Sequence, residues 1–323
     1  MRKAVLTLLF ILSASFWTGC GEIAQMVLVG GAEVPYGKLG INMFPRNRTM
    51  GDLLSQMQDI KSLGFNSIRV TFWFDEQYMQ TRYSSYDFTS FDELMNAAEA
   101  AGLEVVAILG YVPGWLQGNS NWKSTFLSSY VYPVVSRYKN RINYWEVWNE
   151  PDELKYNVLD GSADDYFDLL KRVSAVIRAV DPSSRIITAA TANIVADGLA
   201  KFDWTRRLLE LGASQYADIL NVHYYSDLDI ELSAVGGPMV SNAGMTIWVT
   251  ETGKKGQSGQ KSYFTDILPY VDKSLNPERI FWYCYVEHDE RNLSEAPDTT
   301  YGLLTAWGGE RHDSSLYLYL KGR

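Results

Sequence analysis

From Leu39 onward the chain alternates short apolar runs with longer amphipathic stretches. The runs predict strands over 39–44, 67–72, 104–110, 143–148, 185–190, 218–223, 246–250 and 279–285. The stretches between them predict helices over 50–63, 91–101, 126–138, 163–180 and 204–211, a weak one near 230–235, then 262–274 and 314–320. Gly64, Gly102, Gly212 and the pair Asp181-Pro182 stop helices, and Pro269 should kink the one that contains it.

Eight strands that each lead into a helix require a parallel sheet, because a parallel connection needs a crossover. Eight such units match an α/β fold of the (β/α)8 TIM-barrel kind, a single domain over 39–323. An open doubly wound sheet would carry a glycine-rich phosphate loop after its first strand, and the segment 42–47 contains no glycine.

Charge and composition narrow the partners. The formal net charge is −9, with Arg2 and Lys3 among the few cations at the N-terminus, so the remainder is more acidic still and nucleic acid is excluded. The 21 Tyr and 10 Trp suit flat, neutral ligands such as sugars. Residues 1–19 read as an export signal: a basic start, then an apolar run over 4–16 that is short for a membrane span. Trp17-Thr18-Gly19-Cys20 resembles a bacterial lipoprotein box. It implies lipidation of Cys20, an exported, membrane-anchored protein, and a segment 20–38 that serves as tether or barrel-bottom plug. The other cysteine, Cys284, lies in an apolar run and reads as a buried small hydrophobe.

In a (β/α)8 barrel the chemistry gathers at the carboxyl ends of the strands. The residues expected there are Arg69 and Trp73 (strand two), Tyr111 and Trp115 (three), Asn149 and Glu150 (four), His223 and Tyr225 (six), Glu251 (seven) and Trp282 (eight). Glu150 and Glu251 stand three β/α units apart, which places them across one mouth. Two facing carboxylates can cleave an acetal: one protonates the leaving oxygen, the other meets the oxocarbenium ion. Trp145 and Trp148 should raise the pKa of Glu150, while Arg69 and Tyr225 should keep Glu251 ionised.

The run from Trp145 to Pro151, Trp-Glu-Val-Trp-Asn-Glu-Pro, resembles the acid/base motif of clan A glycoside hydrolases. The resemblance implies Glu150 as general acid/base and Glu251 as nucleophile of a retaining O-glycosyl hydrolase. It also implies Asn149, Arg69, His223, Tyr225, Trp115, Trp282, Trp73 and Tyr111 as substrate-binding residues. The segments 64–70, 109–115, 281–283 and 301–304 resemble single-barrel members of glycoside hydrolase family 39, with family 5-like enzymes as second choice. The substrate implied is an oligo- or polysaccharide, a bacterial exopolysaccharide or a plant glycan, and the protein a monomer without cofactor or metal.

Other readings remain open on the residues alone. Arg69 can be an interior ion pair with Glu146, and His223 a satisfied core histidine. The barrel can be a non-catalytic carbohydrate-binding lipoprotein or a metal-dependent hydrolase, although only three histidines and no His-Glu-x-x-His disfavour a metal centre.

Overall fold

The computed structural model describes residues 33–45, 49–74, 86–154, 158–196, 200–287 and 295–323. The expected leader, Cys20, most of the segment 20–38 and most of the tyrosine-rich loop 75–89 lie outside them.

Eight strands close a barrel in chain order: β1 (Leu39–Asn42), β2 (Ser67–Phe72), β3 (Glu104–Leu109), β4 (Tyr144–Val147), β5 (Arg185–Ile187), β6 (Ile219–Tyr224), β7 (Thr246–Thr252) and β8 (Arg279–Trp282). Every neighbouring pair is parallel, and β8 returns to β1 with Ile41 opposite Trp282. The predicted (β/α)8 architecture is therefore what the chain adopts. β1, β3, β4, β5 and β8 stop short of the carboxyl ends of their apolar runs, β2 ends with its run, and β6 and β7 extend past theirs to Tyr224 and Thr252.

Two apolar layers separate by strand alternation. Outward-facing residues such as Phe72, Trp145 and Trp282 pack against the helices, while Val106, Ile187, Ile219, Trp248 and Phe281 form a small buried cluster with Tyr144. Gly40 makes room for that cluster: a Cβ there would stand 2.3 Å from the Phe281 ring and 2.6 Å from Ser67 Oγ.

Three helices carry an internal proline, and each widens into a π-turn just before it. Leu127–Val131 precedes Pro133, Leu232–Gly236 precedes Pro238, and Tyr263–Ile267 precedes Pro269. A proline lacks the N–H and its ring crowds the carbonyl four residues back, so a locally wider turn lets the helix run on. The kink expected at Pro269 thus takes the form of a π-turn. The helix Met50–Ser62 opens with a capping box between Thr49 and Asp52.

After β8 the chain makes an antiparallel hairpin, β9 (Leu304–Trp307) and β10 (Glu310–Asp313), before the last helix, Ser315–Lys321. Its turn is Gly308-Gly309, both with positive φ. The sequence reading did not place this hairpin, though a Gly-Gly pair between two short runs is a hairpin signal. At the base of the barrel Val34 is buried and Lys38 bonds Asp272 at 2.8 Å. There Arg323, the last residue, pairs with Glu33 and Tyr36.

Candidate active site

A buried polar layer lies across the barrel at its carboxyl end, and Arg69 on β2 is its centre. The Arg69 guanidinium is bidentate to Glu146 on β4, at 2.7 Å to each oxygen. Its Nη1 also reaches Asn42 at 2.8 Å and Glu251 at 2.6 Å, and its Nη2 reaches Asn149 at 2.6 Å. One side chain therefore ties β1, β2, β4 and β7 together. The interior ion pair with Glu146 and the role beside Glu251 are both present in this one residue.

Local backbone features aim the polar residues. Past β4, Trp148 and Glu150 both take positive φ, 71° and 45°. Such values strain a non-glycine residue and are held only by surrounding packing. Here the Trp148 ring is wedged among Tyr111, Trp122 and Phe126. The turn sends two consecutive side chains inward, Asn149 to Arg69 and Glu150 to His223. On β7 a bulge does the same. Val222 pairs with Val249 and His223 with Glu251, so one β7 residue is extra, and both Thr250 and Glu251 point into the barrel.

Oxygens of Glu150 and Glu251 approach within 4.8 Å of each other, with a ring nitrogen of His223 in the same cluster. Glu251 is only 6% exposed. Tyr225 donates its hydroxyl to Glu251 Oε2 at 2.6 Å. His223 Nδ1 lies 3.0 Å from Glu150 and 3.7 Å from Glu251, and its Nε2 lies 3.1 Å from Thr250 Oγ1.

The two carboxyls titrate in opposite directions. Burial raises Glu150 above the usual carboxylate range, and the charge of Glu251 adds to this, outweighing the hydrogen bond from His223. Burial also pushes Glu251 upward, but His223, Arg69 and the Tyr225 hydroxyl together hold it below that range. His223 loses by burial and gains more from the two glutamates, so it protonates more readily than a free imidazole.

Tyr111 receives a hydrogen bond from Asn149 Nδ2 at 3.3 Å and stacks on Trp73, 4.9 Å between ring centres. The structure thus brings Arg69, Trp73, Tyr111, Asn149, Glu150, His223, Tyr225 and Glu251 together. It does not bring Trp282 or Trp115. Alternation on β8 turns Phe281 inward, so Trp282, 2% exposed, faces outward against Tyr263 and Phe264. Trp115 is half-buried and edge-on to Phe74.

Tyr283 and Tyr301 stand on the β8 side instead. Both pack edge-on to Tyr225, at 6.0 and 5.3 Å. Glu287 pins the loop that carries Tyr301, accepting from its backbone N–H at 2.6 Å. Neither tyrosine was expected. Asn42, also missed, lies inside the apolar run 39–44, with Met43 and Phe44 after it, and ends the strand only in the folded barrel. Cys284 is buried, as expected.

Glu150, His223 and Glu251 are, among the described residues, the one set of acids and histidines close enough to share an ion. Both Glu251 oxygens are already engaged by Arg69 and Tyr225, and His223 is bonded on both nitrogens. The set is built to handle protons rather than to ligate.

A closed parallel barrel with carboxylates at the tips of β4 and β7, one titrating above and one below the usual carboxylate range, is the architecture of the clan A glycoside hydrolases. The family model for cellulase (glycosyl hydrolase family 5) matches residues 40–286, and the chain belongs to that family. It is an O-glycosyl hydrolase by that membership. No curated protein matches the chain.

Solved structures share the fold. A family 39 glycoside hydrolase from the gut symbiont Bacteroides cellulosilyticus WH2 superposes with a TM-score of 0.64 at 16% identity, over 90% of this chain and 64% of that one. A family 39 enzyme from Xanthomonas axonopodis pv. citri gives 0.64 at 19%, over 91% and 67%. A family 5 variant from Streptomyces cattleya, solved with Manβ1-4GlcNAc, gives 0.65 at 14%, over 88% and 79%. The chain therefore spans about two thirds of the length of the two family 39 enzymes.

Proposed function

We propose that the protein hydrolyses an oligo- or polysaccharide with retention of anomeric configuration, Glu251 acting as nucleophile and Glu150 as acid/base. The observation that carries this is the carboxylate separation, within 4.8 Å. Retaining glycosidases hold their two carboxyls about 5–5.5 Å apart, whereas inverting ones leave about 6.5–9.5 Å for a water.

In the first step a Glu251 oxygen attacks the anomeric carbon while Glu150 protonates the departing oxygen. Glu251 is suited to attack because His223, Arg69 and Tyr225 lower its pKa, and Glu150 to protonate because burial raises its own. Glu150, now a carboxylate, then takes a proton from water as the water oxygen displaces Glu251 from the sugar. Arg69 fixes the Asn149 amide with its oxygen toward the guanidinium. That leaves Nδ2 for Tyr111 and for the sugar 2-hydroxyl. The Trp73–Tyr111 stack and the tyrosines 225, 283 and 301 supply flat faces on either side for sugar rings.

A polysaccharide panel with reducing-end product analysis identifies the substrate. On it, Glu251→Ala should be inactive and recover turnover with azide, giving a product of inverted configuration. Glu150→Ala should spare the first step for substrates with good leaving groups. Full turnover by both variants would overturn the assignment.

The export reading is also a proposal. The basic start, the apolar run and the box at Cys20 support a lipid-anchored protein on the outer face of a membrane. Metabolic labelling with a radioactive fatty acid should mark the wild type and not Cys20→Ser; equal labelling of the two would sink it.

A further inference from the structure

We propose that Thr250 and Asn221 are positioning residues that lock His223 into the tautomer with its proton on Nε2, so that Nδ1 and Glu150 share a single proton between them. The argument is an accounting of donors. Glu146 is fully buried and bidentate with Arg69, so it only accepts. Asn221 therefore turns its Nδ2 toward Glu146, at 2.9 Å, and its oxygen the other way. The Thr250 backbone N–H, at 3.3 Å from that oxygen, requires the same orientation. Asn221 Oδ1 then takes the Thr250 hydroxyl proton at 2.7 Å. With its only proton committed, Thr250 Oγ1 can meet His223 Nε2, 3.1 Å away, only as an acceptor. Nε2 carries the hydrogen whether the ring is neutral or charged.

Nδ1 of a neutral His223 is consequently a lone pair aimed at Glu150 Oε1, 3.0 Å away. One proton between them makes a good hydrogen bond from either side; none leaves a lone pair against a carboxylate. Glu251, 3.7 Å from the same nitrogen, makes the bare state worse, and Arg69 is a cation that bears on the ring in the opposite sense. The pair therefore holds its proton until a leaving oxygen takes it. In the second step the bare pair draws a proton back from the attacking water onto Glu150, while the water oxygen bonds the anomeric carbon and the ester to Glu251 breaks. The bulge in β7 is what makes this possible, because strict alternation could not turn both Thr250 and Glu251 inward.

The tautomer claim is independent of the reaction; its catalytic consequence rests on the glycosidase reading above. Protein labelled with nitrogen-15 at histidine gives long-range proton–nitrogen correlations for His223, His288 and His312, and His288→Gln and His312→Gln assign the remaining signals to His223. In the wild type the neutral ring should show a protonated Nε2 and a bare Nδ1. Thr250→Val should move the proton to Nδ1, where it donates to an ionised Glu150, and Thr250→Ser should restore the wild-type pattern. A neutral wild-type ring protonated on Nδ1 with a bare Nε2 overturns the proposal without any variant having to fold, and so does an unchanged tautomer in Thr250→Val. On an aryl glycoside that the wild type turns over, Thr250→Val should shift the alkaline limb of the rate profile down by about one pH unit. If no glycoside is turned over while the spectra are as expected, the glycosidase reading fails and the tautomer lock stands.

Discussion

Arg69 donates to Glu251 at 2.6 Å with the same guanidinium that grips Glu146 from below. The side chain that keeps the proposed nucleophile charged is thus also the counter-ion of a fully buried acid. Replacing Arg69 with Met should leave Glu146 buried without its charge partner and cost about 3–5 kcal/mol of stability. Urea unfolding of the variant checks this, and a change near zero would mean that Glu146 finds another cation.

The opposed titrations make a stability prediction. Glu251 has a lowered folded pKa, so its contribution is present above the ordinary carboxylate range and is lost as pH falls through the folded value. Glu150 has a raised folded pKa, so its contribution is full below the unfolded value and is lost as pH rises through the folded one. Urea midpoints measured across that range should therefore show Glu150→Gln gaining on the wild type as pH rises past the ordinary carboxylate pKa. Parallel curves would refute the raised value.

Tyr225 gives Glu251 Oε2 its hydroxyl donor. A hydrogen bond to a charged group is worth about 1.5–3 kcal/mol, so Tyr225→Phe should lower kcat/KM by about 10–100-fold. Its acid limb should move to higher pH because Glu251 is then harder to ionise. An unmoved acid limb would count against Glu251 as the group that must be charged.

Trp282 and Tyr283 should behave oppositely. Trp282→Ala removes a buried ring from the helix-facing core and should cost about 3–5 kcal/mol, measured by thermal or urea unfolding. Tyr283→Ala opens the mouth beside Tyr225 and should raise KM with little loss of stability. A Trp282→Phe enzyme with sharply raised KM would restore the tryptophan as a sugar platform.

Gly40 tests the packing of the barrel interior. Gly40→Ala drives a methyl into the Phe281 ring and should destabilise by about 1–3 kcal/mol, read as a lower urea midpoint with unchanged slope.

The repeated strand–helix alternation made the barrel legible, and the motif around Glu150 together with the spacing to Glu251 made the glutamate pair legible. The details that aim the side chains were not. Nothing in the run Ile247-Trp248-Val249-Thr250-Glu251 distinguishes a regular strand from one with a bulge, because the extra residue is defined only against β6 and β8. On β8, one step of alternation decides between Trp282 and Tyr283. An apolar run that is buried on both faces carries no period to say which residue looks inward. Tyr301 reaches the site from a loop, held by Glu287, and loops have no pattern to read.

Residues 33 to 36 and the final Arg323 meet beneath the barrel, while the glutamates open at the far end. A solid support or fusion partner coupled through residue 323 would therefore sit behind the catalytic entrance. Long, insoluble or crowded glycans could still approach from the opposite pole.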